Sequence, residues 1–223
     1  MQKRRIIIGD YDTSVYGWTL APGWVFTPAE QKTRYLDKPL GDGTLDLSTA
    51  LTDGIPRYND RELAATLELS EGTRLEREEI IRDMVNRLDG MRLDIRLPDD
   101  EHHHVTGRVH VAREYNDLAH AAVTVTAVCD PWKYADEETV VVLDAYDIPQ
   151  DATLVNAGRR AVVPTITVTG DMVLLQHGTS SLAVGEGVHK WPELMLTPGS
   201  HPLRYSSVSQ STVVIAYREA VLE

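Results

Sequence analysis

Three consecutive histidines, His102-His103-His104, are the first residues whose type could do chemistry, because imidazole is the commonest transition-metal ligand. A zinc site needs three or four ligands converging on one point. Strand alternation sends His103 to the face opposite its neighbours, so the spacing favours a solvated loop tip over a metal centre. Asp99-Asp100 is a carboxylate pair, but neighbours on one turn do not flank a glycosidic bond across a cleft. The single cysteine, Cys129, lies in an apolar alternating run, the setting of a buried core thiol rather than a nucleophile. There is no G-x-S-x-G elbow, P-loop or H-E-x-x-H, and Gly185-Glu186-Gly187 lacks the third glycine and strand-turn-helix setting of a dinucleotide site. No catalytic, cofactor-binding or metal-binding residue is assigned, and the chain is expected not to be an enzyme.

Four tryptophans are the remaining candidates, since an indole face can stack on a sugar. Trp132 and Trp191 each adjoin a proline at a strand-turn junction and are expected to anchor the rim of a core. Trp18 and Trp24, around Pro22-Gly23, are candidates for an interface.

The elements that would position these residues are mostly strands. Leu93, Ile95 and Leu97 alternate, Pro98 to Glu101 are turn formers, and Val105 to Val111 resumes the alternation, so 92–111 reads as a hairpin. Further alternating runs cover Ala122–Cys129, Val140–Leu143, Thr165–Thr169, Val173–Leu175 and Val213–Tyr217, with glycine and proline between them. Short strands at that spacing suggest a sandwich. One segment has helical period: Ile81, Met84, Val85 and Leu88 share a face of a helix over 74–88. Thr73 and Glu76 fit a capping box, Gly90 suits the left-handed position after the C-terminus, and Glu78 and Arg82 sit four apart for a weak surface pair. The expected fold class is mainly β. Residues 1–135 form a β-rich α+β domain with one packed helix, 136–151 an acidic junction and 152–223 a small antiparallel β-sandwich.

Composition narrows the function. The chain has 223 residues with 22 Lys plus Arg against 34 Asp plus Glu, a net charge of −12, which disfavours gripping a polyanion. Asp136, Glu137, Glu138, Asp144, Asp147 and Asp151 fall in one stretch without Lys or Arg, the pattern of a solvated connector or edge strand. No run approaches the roughly 20 apolar residues that cross a bilayer, and Ile6-Ile7-Ile8 is too short for a signal-peptide core. A globular protein without membrane insertion is expected.

A conjunction of motifs then carries a resemblance. Tyr16-Gly17-Trp18, the run Pro39 to Ser48, Tyr58-Asn59-Asp60-Arg61-Glu62-Leu63, the capped helix, Gly107-Arg108-Val109 and Cys129-Asp130-Pro131-Trp132-Lys133-Tyr134 occur in one order. Asn156-Ala157-Gly158, Pro164 to Val168, Trp191-Pro192-Glu193-Leu194 with Pro198-Gly199, and the closing strand Val213–Arg218 follow. The series resembles the siphophage distal tail protein (Dit) family over nearly the whole chain. Family members usually have glycine directly after the proline of the 39–43 turn, where this chain has Leu40.

The resemblance implies a galectin-like C-terminal sandwich and a structural role: a hexameric ring at the distal end of the phage tail, joining the tail tube protein to the tail-tip hub protein and in some phages holding receptor-binding proteins. It implies a virion protein, made in the host cytoplasm, with DNA passing through the lumen and no specific nucleic-acid binding. No cofactor follows from it. The 92–111 hairpin and the 32–63 strand-turn region are candidates for subunit contacts or for closing the subunit's own barrel. The segment 152–223 is too short to hold an inserted carbohydrate-binding module. The alternative function is a stand-alone glycan-binding β-sandwich recognising the host surface through Trp191 or the Trp18/Trp24 region. A wall-degrading hydrolase is disfavoured by the missing acid/base pair.

Overall fold

In the computed structural model, residues 5–52, 54–98 and 100–223 are described. Asp99 of the carboxylate pair lies outside them. The chain divides into two compact units, Met1–Lys133 and Tyr134–Glu223. Its strands in order are β1 (Ile7–Ile8), β2 (Tyr11–Asp12), β3 (Thr19–Leu20), β4 (Val25–Phe26), β5 (Tyr35–Asp37), β6 (Thr44–Asp46) and β7 (Arg61–Leu69). The helix α1 (Arg74–Leu88) follows, then β8 (Arg92–Arg96), β9 (His103–Asn116), β10 (Ala121–Cys129) and β11 (Lys133–Ala135).

The first unit is organised by its three long strands. In β7 the residues Leu63, Ala65, Leu67 and Leu69 are buried while Glu62, Ala64 and Glu68 are exposed, the alternation of a sheet with one covered face. Antiparallel pairing sets Leu63 against Ala127 and Ala65 against Val125, and β10 then sets Ala127 against Val109 and Val125 against Val111. Rows of aliphatic side chains therefore cross three strands. A bulge in β9 at Glu114 shifts the register between Ala122 and Val123. The strand order is β2-β1-β8-β9-β10-β7-β3, with β4 also on β7.

Helix α1 contributes Ile81, Met84 and Leu88 to this core, together with Ile6, Ile8, Tyr11 and Trp18. Its ends form as expected. The Glu76 amide donates to Thr73 Oγ1 at 3.3 Å and the Thr73 amide donates to Glu76 Oε2 at 2.6 Å, satisfying two first-turn donors. Gly90 takes φ 76° after the last turn. Arg77 is buried and donates to the carbonyls of Gly72 at 2.6 Å and Asp117 at 2.9 Å, tying the helix start to the β9–β10 turn. The expected Glu78–Arg82 attraction is present but minor beside tertiary hydrogen bonds. Glu78 accepts from Arg113 and from Asn116 Nδ2, both brought beside it by β9.

The second unit holds β12 (Thr139–Ala145), β13 (Gln150–Asn156), β14 (Thr165–Thr169), β15 (Val173–His177), β16 (Ser180–Val184), β17 (Gly187–Lys190), β18 (Gly199–Ser207), β19 (Ser211–Tyr217) and β20 (Ala220–Val221). Two four-stranded antiparallel sheets, β12-β19-β14-β17 and β13-β18-β15-β16, share one core. Ile166, Val213 and Ile215 from the first sheet meet Leu154, Leu175 and Leu203 from the second. The acidic stretch 136–151 supplies β12 and the start of β13, each at the edge of its sheet. Charge on an edge strand discourages uncontrolled pairing with another chain. The buried Asn156 side chain fastens the turn after β13, donating to the carbonyls of Arg160 at 2.9 Å and Leu196 at 2.8 Å. It also accepts from the Gly158 amide at 3.0 Å. A side chain at Gly158 would meet the Ala220 backbone at 2.7 Å, so glycine is required there.

Candidate functional site

The residues singled out for chemistry are dispersed by the fold. His103 Nδ1 lies 3.0 Å from Asp100 Oδ1, and Lys133 Nζ donates to Asp100 Oδ2 at 3.1 Å, so this trio pins the β8–β9 turn. Burial pushes the Asp100 carboxyl up, but the hydrogen bonds from His103 and Lys133 outweigh it and hold the pKa below its ordinary value. His104 turns inward, with Nε2 3.8 Å from Asp94, while His102 is exposed. The three rings thus have separate surroundings, and the expected solvated loop tip holds for His102 alone: His103 and His104 open β9, where the alternation breaks because His104 and Val105 are both buried. Among the described residues no three His, Cys, Asp or Glu side chains converge. No helix among them is long and apolar enough to cross a membrane.

Cys129 is buried in the first core, and desolvation pushes its thiol up to about 12, which removes the thiolate a nucleophile needs. Trp18 departs from the interface expectation. It is 0% exposed, with its indole N–H donating to Tyr11 Oη at 3.2 Å, because residues 11–20 connect β2 and β3, the two ends of the strand order, and contribute Tyr11, Trp18 and Leu20 to the core. Trp24 is partly buried against the same core. Trp191 is 4% exposed within the second core, and half-buried Trp132 stands edge-on to Tyr58 at 5.4 Å. Neither Trp18 nor Trp191 presents a face on which a sugar could stack.

The two candidate contact segments differ in what they already pair with. The hairpin of β8 and β9 is interior to its sheet: β8 also pairs with β1, Ile7 opposite Arg96 and Ile8 opposite Ile95. It closes the subunit's own sheet. The other segment leaves it. Between Ala21 and Asp60 no described residue is buried, and Glu30 through Asp46 are exposed without a break. Backbone bonds at its root hold it, Lys32 N–H to Arg57 carbonyl at 2.7 Å and Asn59 N–H to Glu30 carbonyl at 2.9 Å. Its outer part is the two-stranded β5–β6 hairpin, with Leu36 opposite Leu45 on one face. A lone hairpin is marginally stable in water, and this one carries exposed Tyr35, Leu36, Leu40, Leu45 and Leu51 nearby.

At the root of this arm is a cavity of about 490 Å³. Exposed Val128 lines it together with Asp60, Asp89, Asp130, Arg92 and Arg108, while Val109 and Cys129, which also border it, are each 1% exposed and belong to the core. Arg92 donates to Asp130 at 2.7 Å and Arg108 to the Gly90 carbonyl at 2.6 Å, so the rim is held in place. Asp89 accepts from the Val111 amide at 2.9 Å and lies 2.7 Å from His110 Nδ1, interactions that keep its pKa below the ordinary value. Sequence reading missed this cavity because its walls come from four separate segments.

A helix-covered sheet carrying an exposed arm, followed by a two-sheet sandwich, makes up a mainly β, Dit-like fold. The Dit protein of phage SPP1, described as a paradigm of the hub adsorption apparatus in phages that infect Gram-positive bacteria, is a solved structure with this fold. The similarity covers 96% of this chain and 98% of the SPP1 chain, with a TM-score of 0.67 and 17% sequence identity. No family model matches the sequence, and no curated protein matches it.

Proposed function

We propose that this protein is a structural component of a bacteriophage tail tip, acting without catalysis. In this reading six copies close into a ring between the tail tube and the tail-tip hub protein, at the distal end of the tail in the virion. The observation that carries it is the end-to-end likeness of fold to the SPP1 hub protein, which spans both units. The N-terminal unit is assigned the ring, because it bears an arm with apolar side chains that its own core does not cover. The C-terminal sandwich is assigned to neighbouring tail proteins, receptor-binding proteins among them. A net charge of −12 suits a channel through which DNA passes without sticking.

Electron microscopy of the purified protein, alone and with tail proteins of its phage, tests the ring. Six-fold rings, and antibody labelling confined to tail tips, are the expected result. A monomer under all conditions overturns it. Strong retention of isolated 134–223 on host cell-wall glycan would instead favour the glycan-binding alternative.

A further inference from the structure

Strand register gathers four turns of the second unit at one end of its sandwich. Asp144 and Thr169 both pair with Thr212, Val168 with Gly187, and Val173 with both Val184 and Ser207. The turns 146–149, 170–172, 185–186 and 208–210 therefore share that end. Hydrogen bonds tie three of them together. The Ser207 amide donates to the Tyr146 carbonyl at 2.7 Å, Ser207 Oγ donates to the Met172 carbonyl at 3.0 Å, and the Asp171 amide donates to Ser211 Oγ at 2.9 Å.

These turns display apolar side chains that the core leaves uncovered. Tyr146, Ile148, Met172 and Val208 are between 41% and 78% exposed. At the opposite end the connection between β17 and β18 buries Trp191, Leu194 and Leu196 in the core, so exposure is a property of one end only. A single exposed aliphatic residue is ordinary, but four on turns bonded to one another mark an interaction surface. Because the turns are already fixed, little ordering is left for a partner to impose. The charge at this end has one sign. Asp147, Asp171 and Glu186 are exposed, and the four turns contain no Lys, Arg or His. Apolar groups among carboxylates complement a partner whose apolar side chains are bordered by lysine or arginine. They do not complement themselves, since a second copy would bring the same three carboxylates face to face. We propose that this end of the sandwich docks another protein through an apolar anchor flanked by basic side chains. The inference rests on the assignment of the sandwich to neighbouring tail proteins and supplies its surface and chemistry.

Biolayer interferometry on the full-length chain, with each purified tail protein of its phage as the probe, tests it. Ile148→Asp and Met172→Asp should each weaken binding about tenfold or more, as should Asp147→Lys combined with Glu186→Lys. Glu193→Lys, at the opposite end, should leave binding unchanged. All these side chains are exposed, so the variants should melt with the native chain. The native complex should weaken as salt rises from about 0.15 M to about 1 M, where the Debye length falls from about 8 Å to about 3 Å. A tail protein held equally well by the native chain and by these variants overturns the docking end and leaves the tail-tip reading standing. Self-association that Ile148→Asp abolishes would give the surface to a second copy and overturn the inference too. A native chain that binds none of the tail proteins overturns both readings.

Discussion

Gly107 sits opposite Cys129 in the β9–β10 register, and the two strands are so close there that a methyl group on Gly107 would lie 2.6 Å from Cys129 Sγ. Gly107→Ala should therefore cost about 2 kcal/mol in a urea melt, the usual range for overpacking a core. In a Cys129→Ala background the cost should shrink but not vanish, because the Val128 carbonyl lies 3.0 Å from the same position. Equal costs in both backgrounds would mean that the thiol is not the obstacle. At Asn156 the balance is polar rather than steric. Asn156→Ala would leave two carbonyls and one amide without their side-chain partner, and should lower stability by about 3 kcal/mol, measured by the same melt. A loss under 1 kcal/mol would show that water replaces the amide.

Elements are held at their ends by carboxylates, which makes the joints acid-sensitive. Hydrogen bonds from Asn116 and Arg113 hold the Glu78 pKa below its ordinary 4.5, those from Val111 and His110 hold Asp89 below 3.8, and those from the His120 and Ala119 amides hold Asp117 below 3.8. A carboxylate whose pKa is lower folded than unfolded adds stability that is fully present above about pH 5 and is lost as pH falls through the folded value. The urea midpoint should accordingly decline below pH 4. Asp89→Asn keeps an acceptor for the Val111 amide but cannot titrate, so it should flatten that decline, and an unchanged slope would exclude Asp89 from it. These joints also show what sequence can and cannot reveal about the fold. The capping box of α1 was legible because Thr73 and Glu76 are three residues apart, and the β8–β9 hairpin because its alternation is continuous. The true partner of Glu78 was not, since Arg113 is 35 positions away and only strand packing brings it near. Trp18 was misplaced for the same reason, and the arm-root cavity left no local signal. The arm was half legible: its turn residues mark 39–43, but only the structure shows Leu40 held at positive φ with nothing around it.

For the whole molecule, charge is the term that the proposed ring must overcome. Each copy carries −12, and of the six acidic residues that fall between Asp136 and Asp151 with no Lys or Arg, Asp144 and Asp151 lie on the edge strands β12 and β13 of the second unit. Charge on those edges opposes strand pairing with another chain. Gathering copies into a ring concentrates like charge, which opposes closure most strongly when screening is weak. The Debye length falls from about 30 Å at 0.01 M salt to about 8 Å at 0.15 M. The assembled fraction, read by light scattering at fixed protein concentration, should therefore rise over that range of sodium chloride. Neutralising exposed acids through Glu137→Gln, Asp144→Asn and Asp147→Asn should raise the low-salt fraction and leave the high-salt fraction nearly unchanged. An assembly that instead weakens as salt rises would mean that attractive ion pairs between copies outweigh this repulsion.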